Sequence, residues 1–91
     1  MSKSLYRTET KVLLEVLREL RSEAGLTQTQ CSQALGRPQS FISDVERGVR
    51  RLDLIQLLDL CRVFGVSLRT LIRRFEAHLA RHDLAPVDED E

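Results

Sequence analysis

Gln39, Ser40, Ser43, Asp44 and Arg47 lie within the short segment RPQSFISDVERG and bring amide, hydroxyl, carboxylate and guanidinium groups close together in the chain. Wound as a helix at about 100° per residue with Ile42 at zero, Pro38, Phe41 and Val45 form one apolar sector between about −100° and −40°. The five polar residues fall between about 60° and 200°, on the opposite side. Gln and Ser can donate to and accept from base edges, and Arg can grip guanine through two hydrogen bonds. The plainer alternative is a polar, solvated helix face. Such a face usually carries Glu/Lys pairs, and this one has none.

Charged residues surround the segment. Arg50 and Arg51 follow Gly48 in ERGVRRLD, and Arg37 precedes it in the turn Gly36-Arg37-Pro38. As a group beside a groove-binding helix, Arg47, Arg50 and Arg51 read as phosphate contacts that fix register without specifying sequence. Arg37 is a weaker candidate of the same kind, and solvated surface charge is the alternative for each. Thr27 and Gln28, at the start of the preceding helix, suit an anion near backbone N–H groups. Glu46 sits at the margin of the apolar sector, and Arg21 holds the matching margin of the first helix. A half-buried carboxylate needs a partner, so an Arg21–Glu46 ion pair of structural role is expected.

The elements that must position these groups are helices. The chain of 91 residues is 42% hydrophobic, and Leu outnumbers Val and Ile together, which favours helix over strand. Gly25, Gly36, Gly48 and Gly65 each follow an apolar-periodic segment, where a helix C-cap is expected. The first helix starts between Ser4 and Thr10 and runs to Ala24, with Leu13, Val16, Leu17, Leu20 and Ala24 on one face. Thr27 caps a short second helix to Leu35, with Cys31, Ala34 and Leu35 inward. A third runs from about Pro38 to Arg47, with the proline in its first turn. Asp53 caps a fourth to Phe64, and Ser67 caps a fifth to about Arg81.

These features coincide with those of a known family. Arg21, Gly25-Leu26-Thr27-Gln28, Leu35-Gly36, Ile42-Ser43, Val45-Glu46-Arg47-Gly48 and Phe64-Gly65-Val66-Ser67-Leu68 resemble the Cro/repressor (Xre) helix-turn-helix family from about Leu17 to Leu71. The resemblance implies an all-α, compact five-helix bundle of the lambda-repressor-like type that binds operator DNA as a homodimer. Its base-contacting positions fall on Gln39, Ser40, Ser43 and Asp44, with Arg47 after them. Gln28 matches a position that holds a phosphate and braces the first recognition-helix residue, here Gln39. The Arg21–Glu46 pairing is implied as well. Pro38 departs from the family's Ser or Thr, and Asp44 stands where Arg, Gln or Lys is commoner. A carboxylate there either accepts from a cytosine amine or excludes other sequences.

The expected organisation is a DNA-binding domain over residues 1–82, with its core at about 10–72 and its fifth helix at about 67–81, followed by an acidic, disordered tail at 83–91. On the fifth helix, Leu68, Leu71, Ile72, Phe75 and Leu79 form a narrow stripe that reads as a dimer interface, or as a face docked on helices one and four. A palindromic site would present two major grooves about 34 Å apart to the dimer. The second functional class is a protein-interaction module such as an antitoxin, a role in which members of the family occur.

Other chemistry is not expected. No Ser/His/Asp set, HExxH motif or Gly-rich phosphate loop suggests an enzyme, and no cofactor is implied. His78 and His82 are four apart but lack further ligands, so no metal site is expected. Cys31 and Cys61 sit in apolar patterns as small hydrophobes, with a redox role as the alternative. No apolar run approaches the roughly 18 residues of a membrane span, and a cytoplasmic, nucleoid-associated protein is expected. The net charge of zero conceals a division. Residues 1–82 hold all 14 basic and nine acidic residues, whereas 83–91 hold five acidic residues and no basic one. The acidic segment is positioned to compete with phosphate for the basic surface.

Overall fold

The computed structural model describes residues 7–84, which form five α-helices and, among the described residues, no strand. In chain order they are α1 (Thr8–Glu23), α2 (Gln28–Ala34), α3 (Phe41–Glu46), α4 (Leu54–Phe64) and α5 (Leu68–Arg81). Residues 85–91, most of the expected acidic tail, lie outside the described range, as do residues 1–6.

Local chemistry sets most of the boundaries. Thr27 Oγ1 accepts from the Gln30 N–H at 3.0 Å while Gln30 Oε1 accepts from the Thr27 N–H at 2.9 Å. Asp53 and Gln56 make the same reciprocal pair at the start of α4, both bonds at 2.8 Å. Ser67 Oγ accepts from the Thr70 N–H at the start of α5. Each satisfies helix N–H groups that have no partner within the helix, and removing such a cap costs about 1 kcal/mol. Gly65 ends α4 at φ 77°, a left-handed conformation that only glycine adopts without penalty.

The third helix is shorter than the periodicity suggests. Residues 38–40 form a turn in which the Pro38 carbonyl accepts from the Phe41 N–H at 2.9 Å, so α3 begins at Phe41 rather than at the proline. Pro38 is exposed and contributes nothing to the apolar sector. Ser40, at the N-cap position, makes no side-chain cap. The Ile42 N–H is satisfied instead from α2, where Ser32 Oγ accepts it at 3.0 Å. Ser32 is wholly buried, and Ala34, expected inward, is exposed. A hydroxyl thus occupies the inner face of α2 because the neighbouring helix start needs an acceptor there.

The core gathers one face from each helix: Leu17 and Leu20 of α1, Cys31 of α2, Ile42 and Val45 of α3, Leu60 and Cys61 of α4, and Leu71 of α5. On α1, Val12 is also buried and Leu13 is half-buried; Ala24, at the C-cap beyond the helix, is exposed. Both cysteines are free thiols. Burial pushes the Cys31 pKa up to about 11, with Glu46 adding to the rise and Arg21 opposing it. At neutral pH the Cys31 thiol is therefore protonated and packs as a small apolar side chain.

Helix α5 runs antiparallel to α1 and is fastened to it. Arg74 donates two hydrogen bonds to Glu23, at 2.5 and 3.0 Å, and His78 Nε2 lies 3.0 Å from Glu19. The α5 stripe expected to serve a dimer is for the most part turned inward. Leu71 and Leu79 are buried, Leu68 and Phe75 are half-buried, and Ile72 alone of the five is exposed. The physical reason is that α1 needs an apolar partner for its own face, and α5 supplies it. His78 is engaged by α1, while His82 is exposed; among the described residues no cluster assembles that could hold a metal ion.

Ser32→Ala leaves the Ile42 N–H buried without an acceptor and should lower stability by about 1–3 kcal/mol. Thermal and urea unfolding monitored by circular dichroism measure this. An unchanged midpoint would show that water or a shifted backbone replaces the hydroxyl.

Candidate nucleic-acid interface

Three helices meet at one carboxylate. Glu46, at the end of α3, is 6% exposed. Arg21 of α1 donates to it through Nε at 2.6 Å and through Nη2 at 3.2 Å, and Arg21 Nη1 donates to the Leu26 carbonyl at 2.9 Å. Gln28 of α2 donates its amide Nε2 to Glu46 Oε1 at 2.9 Å. The more exposed Arg18 stands 3.6 Å from the same oxygen. Burial pushes the Glu46 pKa up, but the hydrogen bonds from Arg21 and Gln28, with the charges of Arg21 and Arg18, outweigh it, and the pKa is lowered. Glu46 is thus a charged, fully engaged group at neutral pH.

The engagement of Gln28 was not foreseen from sequence. Its amide nitrogen is tied to Glu46, which fixes where the side chain stands. It lines a shallow surface hollow of about 440 Å³ with Thr29, Gln39, Ser40 and Ser43. Gln39 and Ser40 are exposed and Ser43 is half-buried. The hollow therefore collects amides and hydroxyls from α2, from α3 and from the turn before α3, all groups able to both donate and accept. Thr29 was missed because a lone threonine one residue into α2 carries no periodic signal of its own. Thr27 has its hydroxyl oxygen engaged in capping α2.

Asp44 and Arg47 pair with each other. Arg47 Nη2 donates to Asp44 Oδ1 at 2.6 Å, on the solvent side of α3. The carboxylate expected to face a groove alone is accompanied by a cation one turn along, which offsets its repulsion from phosphate. The Asp44 carbonyl also accepts from the N–H groups of Val49 and Arg50, so the loop after α3 folds back onto the helix end.

The flanking arginines are positioned by an aromatic ring. Arg37 and Arg50 place their guanidinium carbons 5.1 and 5.0 Å from the centroid of Phe41. Cation–π attraction of this kind contributes about 0.5–1 kcal/mol at exposed sites. It sets one cation from the turn before α3 beside another from the loop after it. Phe41 was read from sequence as core alone, and this second function follows only from the fold. Arg51 is exposed beside Arg50 in the same loop.

Glu46→Gln removes the charge that Arg21 was placed to meet and should destabilise the protein by about 3 kcal/mol. Because the folded-state pKa of Glu46 is depressed, this contribution is complete above the unfolded carboxyl value of about 4.3 and is lost as pH falls through the lower folded value. Melting temperatures of both proteins measured from about pH 7 to about pH 2 should converge at the acid end. A constant difference across that range would remove Glu46 as the source.

Comparison with known proteins follows the same geometry. A family described as a helix-turn-helix domain matches residues 12–75, from α1 into α5. A solved XRE-family-like protein from Pseudomonas syringae pv. tomato is 43% identical and superposes with a TM-score of 0.73, covering 82% of this chain and 92% of that one. The clp gene regulator ClgR of Corynebacterium glutamicum, 21% identical, shares the fold with a TM-score of 0.74 over 85% of this chain and 82% of its own. An HTH-type transcriptional regulator of Sinorhizobium fredii, y4dJ, is 42% identical over 48 residues, 53% of this chain and 62% of that protein. The chain thus spans less than two thirds of the curated relative it matches. The five-helix order, the family match across most of it and the solved relative of similar length lead to one conclusion: the chain belongs to the XRE-type helix-turn-helix family, whose members are DNA-binding regulators and not enzymes.

Proposed function

We propose that the protein regulates transcription in the cytoplasm by binding double-stranded DNA, as a repressor that occupies a palindromic operator as a homodimer. The observation that carries this reading is the hollow that Gln28, Thr29, Gln39, Ser40 and Ser43 line together at the α2–α3 junction, with Arg37 and Arg50 held against Phe41 at the start of the same α3. In this reading α3 enters the major groove, Gln39 and Ser43 read base edges, and Ser40, Asp44 and Arg47 adjoin them. Arg37, Arg50 and Arg51 with Thr27 and Gln28 contact the phosphates on either side. The Asp44–Arg47 pair acts as a unit, so that Arg47 meets guanine or phosphate only if Asp44 finds a cytosine amine or releases it.

For the dimer, the support lies in α4 rather than α5. Leu54 and Ile55 in its first turn are 59% and 64% exposed, and Val49 in the preceding loop is 63% exposed. Large apolar side chains at this exposure are costly to leave in water. Val49 lies three residues beyond α3, and a two-fold axis at these residues would join two α3 helices in one assembly, as a site with two grooves about 34 Å apart requires. The same patch is what favours a second reading, a protein-interaction module such as an antitoxin.

Selection from randomised duplexes with the purified protein should enrich a motif with two-fold symmetry. No enrichment, together with tight binding of a co-purified protein, would favour the second reading. Gln39→Ala and Ser43→Ala should each relax discrimination at particular base pairs, by about 1–3 kcal/mol for a good bidentate contact. Arg50→Ala should instead weaken all sequences alike and reduce the salt slope by about 1, as measured by fluorescence anisotropy titrations at several salt concentrations. Ile55→Glu should leave the fold intact and shift sedimentation toward monomer, whereas Ile72→Glu on α5 should do so less.

A further inference from the structure

Arg7, Arg21, Arg47, Arg62 and Arg74 each meet a carboxylate. Arg37 and Arg50 are held differently. Both are exposed, and among the described residues neither pairs with a carboxylate. What each meets is the ring of Phe41, at 5.1 and 5.0 Å from its centroid. Asp59 borders the same small hollow as Arg37 and Phe41, but it stands 3.7 Å from Arg62 instead.

The difference has a chemical consequence. A carboxylate partner cancels the charge of a guanidinium and takes up its N–H groups. An aromatic ring attracts the cation through its quadrupole, leaves the charge intact and brings no oxygen to the N–H donors. The backbones on either side are fixed as well. The Arg37 N–H donates to the Ser32 carbonyl at 3.0 Å, and the Arg50 N–H to the Asp44 carbonyl at 3.2 Å. Two cations from opposite ends of α3 are thereby gathered on one ring against their mutual repulsion, which a bound anion relieves. A phosphate carries oxygens enough for both, each accepting a charge-assisted bond of about 2.8 Å. Because the ring and the backbone bonds order both arginines beforehand, little ordering remains to be done on binding.

We infer that Phe41 makes Arg37 and Arg50 into one clamp for a single phosphate group, and that in a complex with DNA this group is a phosphodiester of one strand. The second half rests on the proposed DNA reading, in which both arginines meet the backbone. The first half concerns phosphate alone. Phe41 itself touches no phosphate and is a positioning residue: through its ring, contacts from before and after α3 act as a unit. Such a clamp adds affinity without sequence preference and fixes the register of the helix between its two arms.

Anisotropy titrations on one duplex at several salt concentrations test the clamp, with melting curves recorded for every variant. Arg37→Ala and Arg50→Ala should each weaken binding about tenfold. The double variant should also lose about tenfold, where independent contacts lose about a hundredfold, and its salt slope should fall by about 1 rather than about 2. Phe41→Leu removes no charge and should match the double variant in both respects. Should Phe41→Leu fail to fold, Arg50→Lys decides: it keeps the charge but not the planar group, and should weaken binding severalfold. Additive losses, a folded Phe41→Leu with the parent's salt slope, or an Arg50→Lys that binds as tightly as the parent would overturn the inference. Inorganic phosphate provides a test without DNA. The Nε–H resonances of Arg37 and Arg50 should move along one binding curve, and the Arg50 shift should vanish in Arg37→Ala. Separate curves would sink the clamp even in a protein that binds duplex. A common curve in a protein that binds no duplex would uphold the clamp and sink the DNA reading instead.

Discussion

The carboxylate of Glu46 is the constraint on which the remainder of the structure turns. A charge at 6% exposure must be met where it stands, and it is met from α1 by Arg21 and from α2 by Gln28. Arg21 is further held by the Leu26 carbonyl in the turn between those helices. Well-packed apolar residues of similar volume often replace a buried ion pair with equal or greater stability. What they would lack is direction. The hydrogen bonds fix the rotation of α3 against α1 and set the Gln28 side chain at the edge of the hollow it shares with Gln39.

A helix of six residues is too short to persist alone, because nucleation costs more than so few hydrogen bonds return. Every side of α3 except its polar one is supported by other elements. Ser32 satisfies the Ile42 N–H from α2, Phe41, Ile42 and Val45 are buried in the core, and the following loop bonds back to the Asp44 carbonyl. Phe41 then organises Arg37 and Arg50 on the outside. Gln39, Ser40 and Ser43 take part in none of these supports, and that release from structural duty is what a variable reading surface requires.

The helices and caps were legible because their signals are local. Thr27, Asp53 and Ser67 each bond to an N–H three residues on, and the apolar spacing of α1, α4 and α5 repeats within a few turns. The ionic contact of Arg21 with Glu46 was also legible, since each residue lies at the margin of an apolar face and a buried charge demands an opposite one. The start of α3 was not. It depends on Ser32, ten residues away on another helix, and no pattern within the segment reports an acceptor supplied from outside it.

The α5 stripe shows the same division from the other side. Its spacing announces an apolar face that must be covered, but spacing is silent on whether the cover comes from the same chain or another. Packing decided that Leu71 and Leu79 face α1 and left Leu54, Ile55 and Val49 outside. By itself the sequence determined the five helices, the polar face of the third and the pairing of opposite charges, all consequences of periodicity and near-neighbour hydrogen bonding. Only the tertiary structure decided that Gln28 is turned to Glu46, that Phe41 aligns two arginines and which apolar faces remain open, because those depend on distances between residues far apart in the chain.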